Sequence, residues 1–199
     1  MIFFIRQLIH VIFLCALLSC ENPFTTREPE SPEQRTSNFI PPSTPEIVFV
    51  NLQIAIKERN VENYIRSFVD TTRSSQSFSF IPDQGIAATN PGVFLNWQLE
   101  DERRYVTNLL QVTPRDSIPD LRFILEGSRS ESSTSATFTQ NYTLVVRHTR
   151  QESNIPTEFR GQSRFMLEKN ETGDWAIYMW EDFANDDNPS WSELKAFFR

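Results

Sequence analysis

Carboxylates and tyrosines are the residues of this chain whose types could carry acid–base chemistry. An acid held in an apolar pocket opposite a tyrosine can exchange a proton near neutral pH, because burial raises the pKa of a carboxyl group. The acids and tyrosines that could be placed in this way are Asp70, Asp83, Glu100, Asp101 and Glu126, and Tyr64, Tyr105, Tyr142 and Tyr178. No spacing singles out an acid–tyrosine set among them. We therefore assign no catalytic residue and expect binding rather than catalysis.

Metal and nucleophile chemistry has little support in the sequence. His148 stands alone among the polar residues that follow an apolar strand pattern, and a single histidine cannot form a histidine cluster, so we expect a surface position. The acidic segment 181–188, which includes Asp182, lacks the glycine and the distal bidentate acid of a calcium loop. We interpret it as a solvated connector. The sequence predicts no metal and no cofactor.

Both cysteines of the chain, Cys15 and Cys20, lie close to the amino end. Residues 8–18 are almost all apolar, follow the single positive charge of Arg6 and precede the small Ser19, which is the layout of a secretory signal. A membrane-spanning helix needs about 20 apolar residues, and extending the run backwards would bury Arg6. The pattern therefore favours a signal peptide, with an uncleaved membrane anchor as the alternative.

The edge Leu17-Leu18-Ser19-Cys20 resembles the lipobox of bacterial lipoproteins, which has leucine three residues before the cysteine and a small residue directly before it. Leu17 and Ser19 match that pattern, whereas Leu18 is bulkier than usual. The resemblance implies cleavage between Ser19 and Cys20 and acyl chains such as palmitate on the Cys20 thiol. The alternative is an ordinary signal peptide with a chance cysteine. Because Cys15 leaves with the signal, no disulfide is expected.

Composition divides the chain into three predicted segments: a signal peptide at 1–19, a flexible tether at 20–43 rich in Pro, Ser and Thr, and a single domain at 44–199. The lipobox resemblance places the domain outside the cytoplasm, in a bacterial cell envelope, held on the inner or the outer membrane by the Cys20 acyl chains. The net charge is −7 and the basic residues are scattered, so nucleic acid is not an expected partner.

Helical periodicity dominates the first part of the domain. Thr44-Pro45-Glu46 is typical of a helix start, with a hydroxyl cap, a proline at the first position and an acid near the positive end of the helix dipole. Apolar spacing predicts helices from there to Lys57, from Asn60 to Phe68, and from Asn96 to just before Pro114. A short strand at 77–81 and a loop through 85–92 separate the second and third helices.

Strand periodicity follows. Apolar residues alternate within 121–125, 136–146, 159–167 and 175–180, which predicts four strands, the last two joined in a hairpin by the turn at 170–174. Ser190 and Glu193 form the sequence pattern of a capping box and predict a final helix that ends at Phe198. Helices gathered on one face of an antiparallel sheet give an α+β domain.

The order of these elements, with segment 51–60 leading into Tyr64 and the late hairpin strand 173–178, resembles the nuclear transport factor two-like domain. The resemblance covers Thr44 to Asp182. It implies a cystatin-like cone, in which a curved antiparallel sheet wraps three N-terminal helices and leaves an apolar pocket at the wide end. Some members of that superfamily are enzymes, such as the ketosteroid isomerase and polyketide cyclase-like proteins, and many only bind ligands or other proteins.

Aromatic residues are the candidates for lining such a pocket, although the domain core is an equally ordinary place for them. The candidate pocket residues are Tyr64, Phe80, Trp97, Trp175 and Trp180. The final helix could cover the mouth of the cone or dock a partner. We expect an envelope lipoprotein that binds a small apolar ligand or a partner protein without catalysis. A pocket enzyme and a structural component of an envelope complex are the two alternatives.

Overall fold

The computed structural model describes residues 38–124, 127–150, 155–185 and 188–199. The predicted signal, the lipobox with Ser19 and Cys20, most of the predicted tether and Glu126 lie outside these ranges. Residues 37–199 form one compact unit. None of the helices in the described ranges combines the length and the apolar character that crossing a membrane requires.

Five helices and six strands make up this part of the chain. The helices are α1 (Pro45–Glu58), α2 (Val61–Ile65), α3 (Gln84–Thr89), α4 (Leu99–Gln111) and α5 (Trp191–Phe198). The strands are β1 (Ser79–Ile81), β2 (Asp120–Ile124), β3 (Arg129–Glu131), β4 (Ser135–Val145), β5 (Glu158–Lys169) and β6 (Trp175–Ala184).

One sheet contains all six strands, in the order β1-β6-β5-β4-β2, with β3 pairing the same edge of β4 beside β2. Every pairing is antiparallel except that of β1 with β6, which is parallel. α1 packs against this sheet, because its buried residues, among them Val48, Leu52 and Ile56, recur at helical spacing. The predicted α+β class is therefore confirmed.

Two short elements depart from the predictions. Helix α3 overlaps the predicted loop 85–92, because the Asp83 side chain accepts hydrogen bonds from the backbone N–H groups of Gly85 and Ile86 and so starts a helical turn. Strand β3 lies in the polar segment 128–135 and pairs with β4 through its backbone. All its residues are exposed, so no apolar alternation marks it in the sequence.

The first described residues pack on the domain. Asn51 of α1 exchanges two hydrogen bonds with the backbone of Ile40, and the backbone N–H of Trp175 donates to the carbonyl of Pro42. The Arg66 guanidinium lies 3.8 Å from the centre of the Phe39 ring. The last residues of the predicted tether are thus in contact with α1, α2 and β6.

The inner face of the sheet carries one polar row beside an aromatic row. Gln140, Ser163 and Asp182 are paired in register across β4, β5 and β6, and all three are buried. The row beside it consists of Phe138, Phe165 and Trp180, which are in the same register. Amide, hydroxyl and carboxyl groups in the interior need partners, so this row indicates where the domain interior is polar.

Candidate functional site

The interior of the cone is occupied by the C-terminal helix. The Ser190 hydroxyl accepts a hydrogen bond from the backbone N–H of Glu193 and starts α5, as the capping pattern predicts. Trp191, Leu194 and Phe198 follow at helical spacing and are buried. The Trp191 ring packs edge-on against Trp180, with the ring centres 4.5 Å apart. Helix α5 therefore lies where the resemblance to the cone implies a pocket.

An ion pair connects α5 to α4 inside the cone. The Lys195 Nζ lies 2.6 Å from Oε2 of Glu102, and both side chains are 0% exposed. The same carboxylate accepts hydrogen bonds from the Tyr64 hydroxyl at 2.7 Å and from the Trp97 indole N–H at 2.8 Å. Three donors, from α2, from α5 and from the loop before α4, thus converge on one buried acid.

Aromatic rings surround the Lys195 ammonium. Its Nζ lies 3.6 Å from the ring centre of Phe80 and 3.7 Å from that of Trp180. The rings of Trp97 and Tyr105 are each 5.5 Å away. Cations are attracted to the faces of such rings. We call these four rings the aromatic cage. Burial lowers the pKa of Lys195 to about 8, although the Glu102 carboxylate opposes this shift.

Asp182 is the second buried acid, and its position corrects the interpretation of segment 181–188 as a solvated connector. Its carboxylate accepts hydrogen bonds at 2.7 Å from both the backbone N–H and the hydroxyl of Ser192, and one from the Ser163 hydroxyl at 3.2 Å. Burial raises the pKa of Asp182, against these bonds and a hydrogen bond with Tyr142. The first turn of α5 covers this acid, which is why it is not solvated.

Further contacts with the sheet and α4 hold Trp191 in place. Its backbone N–H donates to the Tyr142 hydroxyl at 2.6 Å, and its indole N–H donates to the Tyr105 hydroxyl at 2.8 Å. Tyr142 reaches this point because Gly161 lies opposite it on β5. A Cβ atom at Gly161 would lie 2.5 Å from the Tyr142 hydroxyl oxygen, so a larger residue there would move the tyrosine.

Gln140 is the one side chain of this polar row that has no hydrogen-bond partner. It is 1% exposed, and neither its amide nitrogen nor its amide oxygen has a hydrogen-bond partner. Both atoms are strong hydrogen-bonding groups, and leaving them unpaired in the interior costs free energy. The interior therefore has an unused donor and an unused acceptor beside Ser163.

In this arrangement the buried acids are not free to act on a substrate. Glu102 already accepts three hydrogen bonds and neutralises Lys195, and Asp182 is bound by the first turn of α5. A general base needs an accessible lone pair within reach of a substrate proton. The arrangement holds the Lys195 ammonium and the first turn of α5 in place.

Four of the five candidate pocket residues come together in the interior. Tyr64 bonds to Glu102, and Phe80, Trp97 and Trp180 belong to the aromatic cage. Trp175 lies elsewhere: together with Phe68 and Phe78 it lines an outer cleft of about 510 Å³ beside the described start of the chain. The rim of this cleft is polar, with Arg66, Arg73, Asp70 and Glu100.

Four of the five acids that the sequence suggests for proton transfer lie outside the interior cluster, and the fifth, Glu126, is not among the described residues. Asp70 is exposed and accepts a bond from the backbone of Thr72, whereas Asp83 caps α3. Glu100 and Asp101 belong to the first turn of α4, where acids favour the helix dipole. His148, expected at the surface, is half-buried with its ring 5.4 Å from that of Phe198. Over the ranges that the structure describes, no group of acids, histidines or cysteines could hold a metal ion.

Glu102 and Lys195 are not among the predicted site residues, although each leaves a signal in the sequence. Glu102 lies one turn before Tyr105 and Val106, on the buried face of α4. Lys195 lies between Trp191 and Phe198 on the buried face of α5. A charged residue on the apolar face of an amphipathic helix needs a buried partner, and two such residues of opposite sign form a testable pair.

Comparison with known proteins supports the fold and no more than the fold. No protein-family model and no curated protein sequence matches this chain. A protein from Kribbella flavida matches with a TM-score of 0.52 at 10% identity, over 76% of this chain and 93% of that one. A conserved protein from Planctomyces limnophilus gives a TM-score of 0.52 at 13% identity, over 69% and 91%.

A third similar structure is an NTF-2 like protein of unknown function from Shewanella oneidensis. It matches with a TM-score of 0.47 at 15% identity, over 68% of this chain and 93% of that chain. The arrangement of helices packed against a curved, mostly antiparallel sheet is shared with the structures from Kribbella flavida and Planctomyces limnophilus. The α+β cone that the resemblance implies is thus the fold of this chain.

Proposed function

We propose that this chain is a lipid-anchored protein of a bacterial cell envelope whose cone domain binds a ligand or partner without catalysis. The observation that carries the proposal is the filled interior, in which α5 occupies the expected pocket and Lys195 neutralises Glu102. We call the state with α5 in the interior the closed state, in which α5 occupies the volume that a ligand would fill. Binding then exchanges α5 for the ligand.

The proposed location rests on the sequence. The lipobox-like edge at Leu17 to Cys20 supports an acyl anchor, and two acyl chains hold a protein on a membrane far more firmly than one. The tether that follows would let the cone domain stand off the bilayer by a few tens of ångström. The open cleft with Trp175 lies beside residues 39–42, close to where the proposed tether ends.

Replacing Cys20 tests the anchor. We expect Cys20→Ala to move most of the chain from the membrane fraction to the soluble fraction, because the acylated sulfur is lost. Cys15→Ala is the matched control and should leave the chain in the membrane fraction, since Cys15 belongs to the removed segment. Intact mass measurement of the native protein should show a chain that begins at a diacylated Cys20. An unmodified thiol, or equal membrane binding of Cys20→Ala, would contradict the proposal.

Opening of the cone has a calculable cost. Burial of a large apolar side chain contributes roughly 1.5–3 kcal/mol, so releasing Trp191, Leu194 and Phe198 costs on the order of 5–9 kcal/mol. The open state is then populated at about one molecule in 10⁴ or fewer. The helix is nevertheless the last element described and belongs to no strand pairing, so its departure leaves the sheet intact.

Native-state hydrogen exchange tests this opening. We expect the backbone amides of α5, such as that of Leu194, which bonds to the Ser190 carbonyl, to exchange at a lower free energy than those of the central β4–β5 pair. Local opening exposes less surface than global unfolding, so the α5 amides should also depend less on urea. Equal free energies with equal urea dependence would refute binding inside the cone and favour the structural-component alternative.

A pocket enzyme is the second candidate, and one observation favours it. Each buried acid contacts a tyrosine, Glu102 with Tyr64 and Asp182 with Tyr142, and burial raises the pKa of Asp182. Acid–tyrosine pairs of this kind are what proton transfer in an apolar pocket needs. Such chemistry would require the same withdrawal of α5, so the exchange experiment bears on both candidates.

A further inference from the structure

We propose that the interior of the cone is a binding site for an organic ammonium ion carried on an apolar body, and that Lys195 occupies this site as an internal ligand. The inference rests on the proposed exchange of α5 for a ligand and names the chemical class of that ligand. Four features of the interior carry it: the aromatic cage, the balance of buried charge, an unused amide, and the apolar contacts of α5.

The aromatic cage surrounds a cation on several sides. Phe80 and Trp180 present rings at 3.6 and 3.7 Å from the ammonium nitrogen, and the more distant rings of Trp97 and Tyr105 complete the enclosure. Desolvated cation–π contacts are each worth about 2 kcal/mol or more. A neutral group of the same size would lose this attraction, which offsets part of the cost of burying a positive charge.

Buried charge in the described part of the domain favours a cation as well. The charged side chains that are fully enclosed there are Glu102, Asp182 and Lys195. The enclosed charged groups therefore comprise two acids and one base, and the Lys195 charge interacts electrostatically with both acids. If α5 withdrew, the interior would hold two carboxyl groups and no counter-charge. A ligand without a positive group could not replace Lys195 at that cost.

The unpaired Gln140 side chain indicates that α5 does not use every hydrogen-bonding group of the interior. Its amide donor and acceptor are buried without a partner, on the strand position that pairs with Ser163, which itself bonds to Asp182. A ligand that carries a hydroxyl or amide group beside its ammonium could satisfy this side chain, which α5 leaves unpaired. The polar row thus offers contacts that the internal ligand does not use.

The apolar body follows from the contacts that α5 makes. Trp191, Leu194 and Phe198 fill the interior around the cage, and a ligand must bury a similar area to hold the cone open. A small ammonium ion alone cannot displace α5, because it would leave this apolar volume empty. The expected ligand is therefore amphiphilic, with one ammonium group and an apolar part the size of several large side chains.

The ammonium subsite can be tested by removing its occupant. Lys195→Ala in the full chain deletes three methylene groups and the ammonium, which together match n-propylammonium. We expect 100 mM n-propylammonium chloride to raise the Tm of this variant by about 3–6 °C over potassium chloride of equal ionic strength, if Kd is about 10 mM. Neutral n-propanol at the same concentration should give no comparable increase.

Two controls make the outcome decisive. The wild-type chain should gain nothing from n-propylammonium beyond the salt control, because Lys195 fills the subsite. In Lys195→Ala/Glu102→Gln the advantage of ammonium over propanol should shrink by at least half, since the paired acid is gone. If Lys195→Ala is unfolded in salt alone, recovery of a cooperative thermal transition by n-propylammonium, and not by n-propanol, is the expected result.

Equal stabilisation by propanol and propylammonium, or none by either, would overturn the ammonium class. That failure is separate from failure of the proposed function. If α5 opens in the exchange experiment and the amine has no effect, the cone still binds, but a ligand of other chemistry. If the amine stabilises the variant while α5 exchanges only by global unfolding, the subsite recognises ammonium and Lys195 is its permanent occupant, which overturns the exchange of α5 for a ligand.

Discussion

Lys195→Met should lower the free energy of unfolding by about 3–5 kcal/mol, which corresponds to a fall in Tm of roughly 6–20 °C. The substitution leaves the Glu102 carboxylate fully buried, with its bonds from Tyr64 and Trp97 but without a counter-charge. Methionine fills most of the lysine volume, so the loss reports the missing hydrogen bond to Glu102 more than a cavity. Urea unfolding at pH 7 with an unchanged m-value measures it.

A double-mutant cycle separates the pair from its surroundings. Glu102→Gln keeps an acceptor oxygen for a neighbouring donor but leaves the Lys195 ammonium without its nearest anion. We expect Glu102→Gln/Lys195→Met to cost several kcal/mol less than the sum of the two single changes, because removing both charges leaves neither one unpaired. Additive losses would mean that the two side chains stabilise the domain independently.

The exposed ion pair between Arg103 and Glu62 provides the matched control. It joins α4 to α2, much as the buried pair joins α4 to α5, but the Glu62 side chain is 73% exposed. Surface pairs contribute little, since solvent screens them. Glu62→Gln should therefore change the free energy of unfolding by less than about 1 kcal/mol. A loss comparable with that of Lys195→Met would show that the difference in burial does not matter here.

Much of the fold could be predicted because its signals are local. The periodicity that begins at Thr44 predicts α1, and the alternation through Trp175 and Ile177 predicts β6, since one face of each element is buried and the other is not. Helix α3 and strand β3 were not predicted, because they lack such a local signal. Both are short and lack a buried apolar face, so their positions depend on the cap at Asp83 and on backbone pairing with β4.

The interior cluster depends on long-range contacts that no local pattern contains. Lys195 and Glu102 are 93 positions apart in the sequence, and Asp182 is buried only because Ser192 returns to cover it. Asp182 belongs to an acidic segment of the sequence, and a solvated connector is the ordinary interpretation of such a segment. Burial of large aromatic side chains does not depend on one specific partner. It could therefore be predicted for Tyr64, Phe80, Trp97 and Trp180.

Stability should rise with pH between about 8 and 10, which is unusual for a protein of acidic composition. Burial lowers the folded-state pKa of Lys195 to about 8, from 10.5. Between these two values the unfolded chain binds more protons than the folded one, so raising the pH favours the fold. A difference of 2.5 units corresponds to at most about 3 kcal/mol, complete only when the pH exceeds the unfolded value.

Buried tyrosines reverse this trend at higher pH. Burial raises the pKa of Tyr64, Tyr105 and Tyr142 well above 10.0, and the nearby carboxylates add to this effect. Above about pH 10 the unfolded tyrosines lose protons that the folded ones keep, so the fold loses stability as the pH rises. The free energy of unfolding should therefore pass through a maximum near pH 10.

Urea unfolding at pH 7, 8, 9, 10 and 10.5, at constant ionic strength, measures this profile. Lys195→Met is the decisive comparison, because it removes the group that produces the rise and keeps the tyrosines that produce the fall. The variant should show no gain between pH 8 and 10 and should lose stability above pH 10 as the wild type does. An equal rise in the variant would mean that Lys195 does not produce the rise. A flat wild-type profile over that interval would mean that burial in the aromatic cage does not lower the pKa of Lys195.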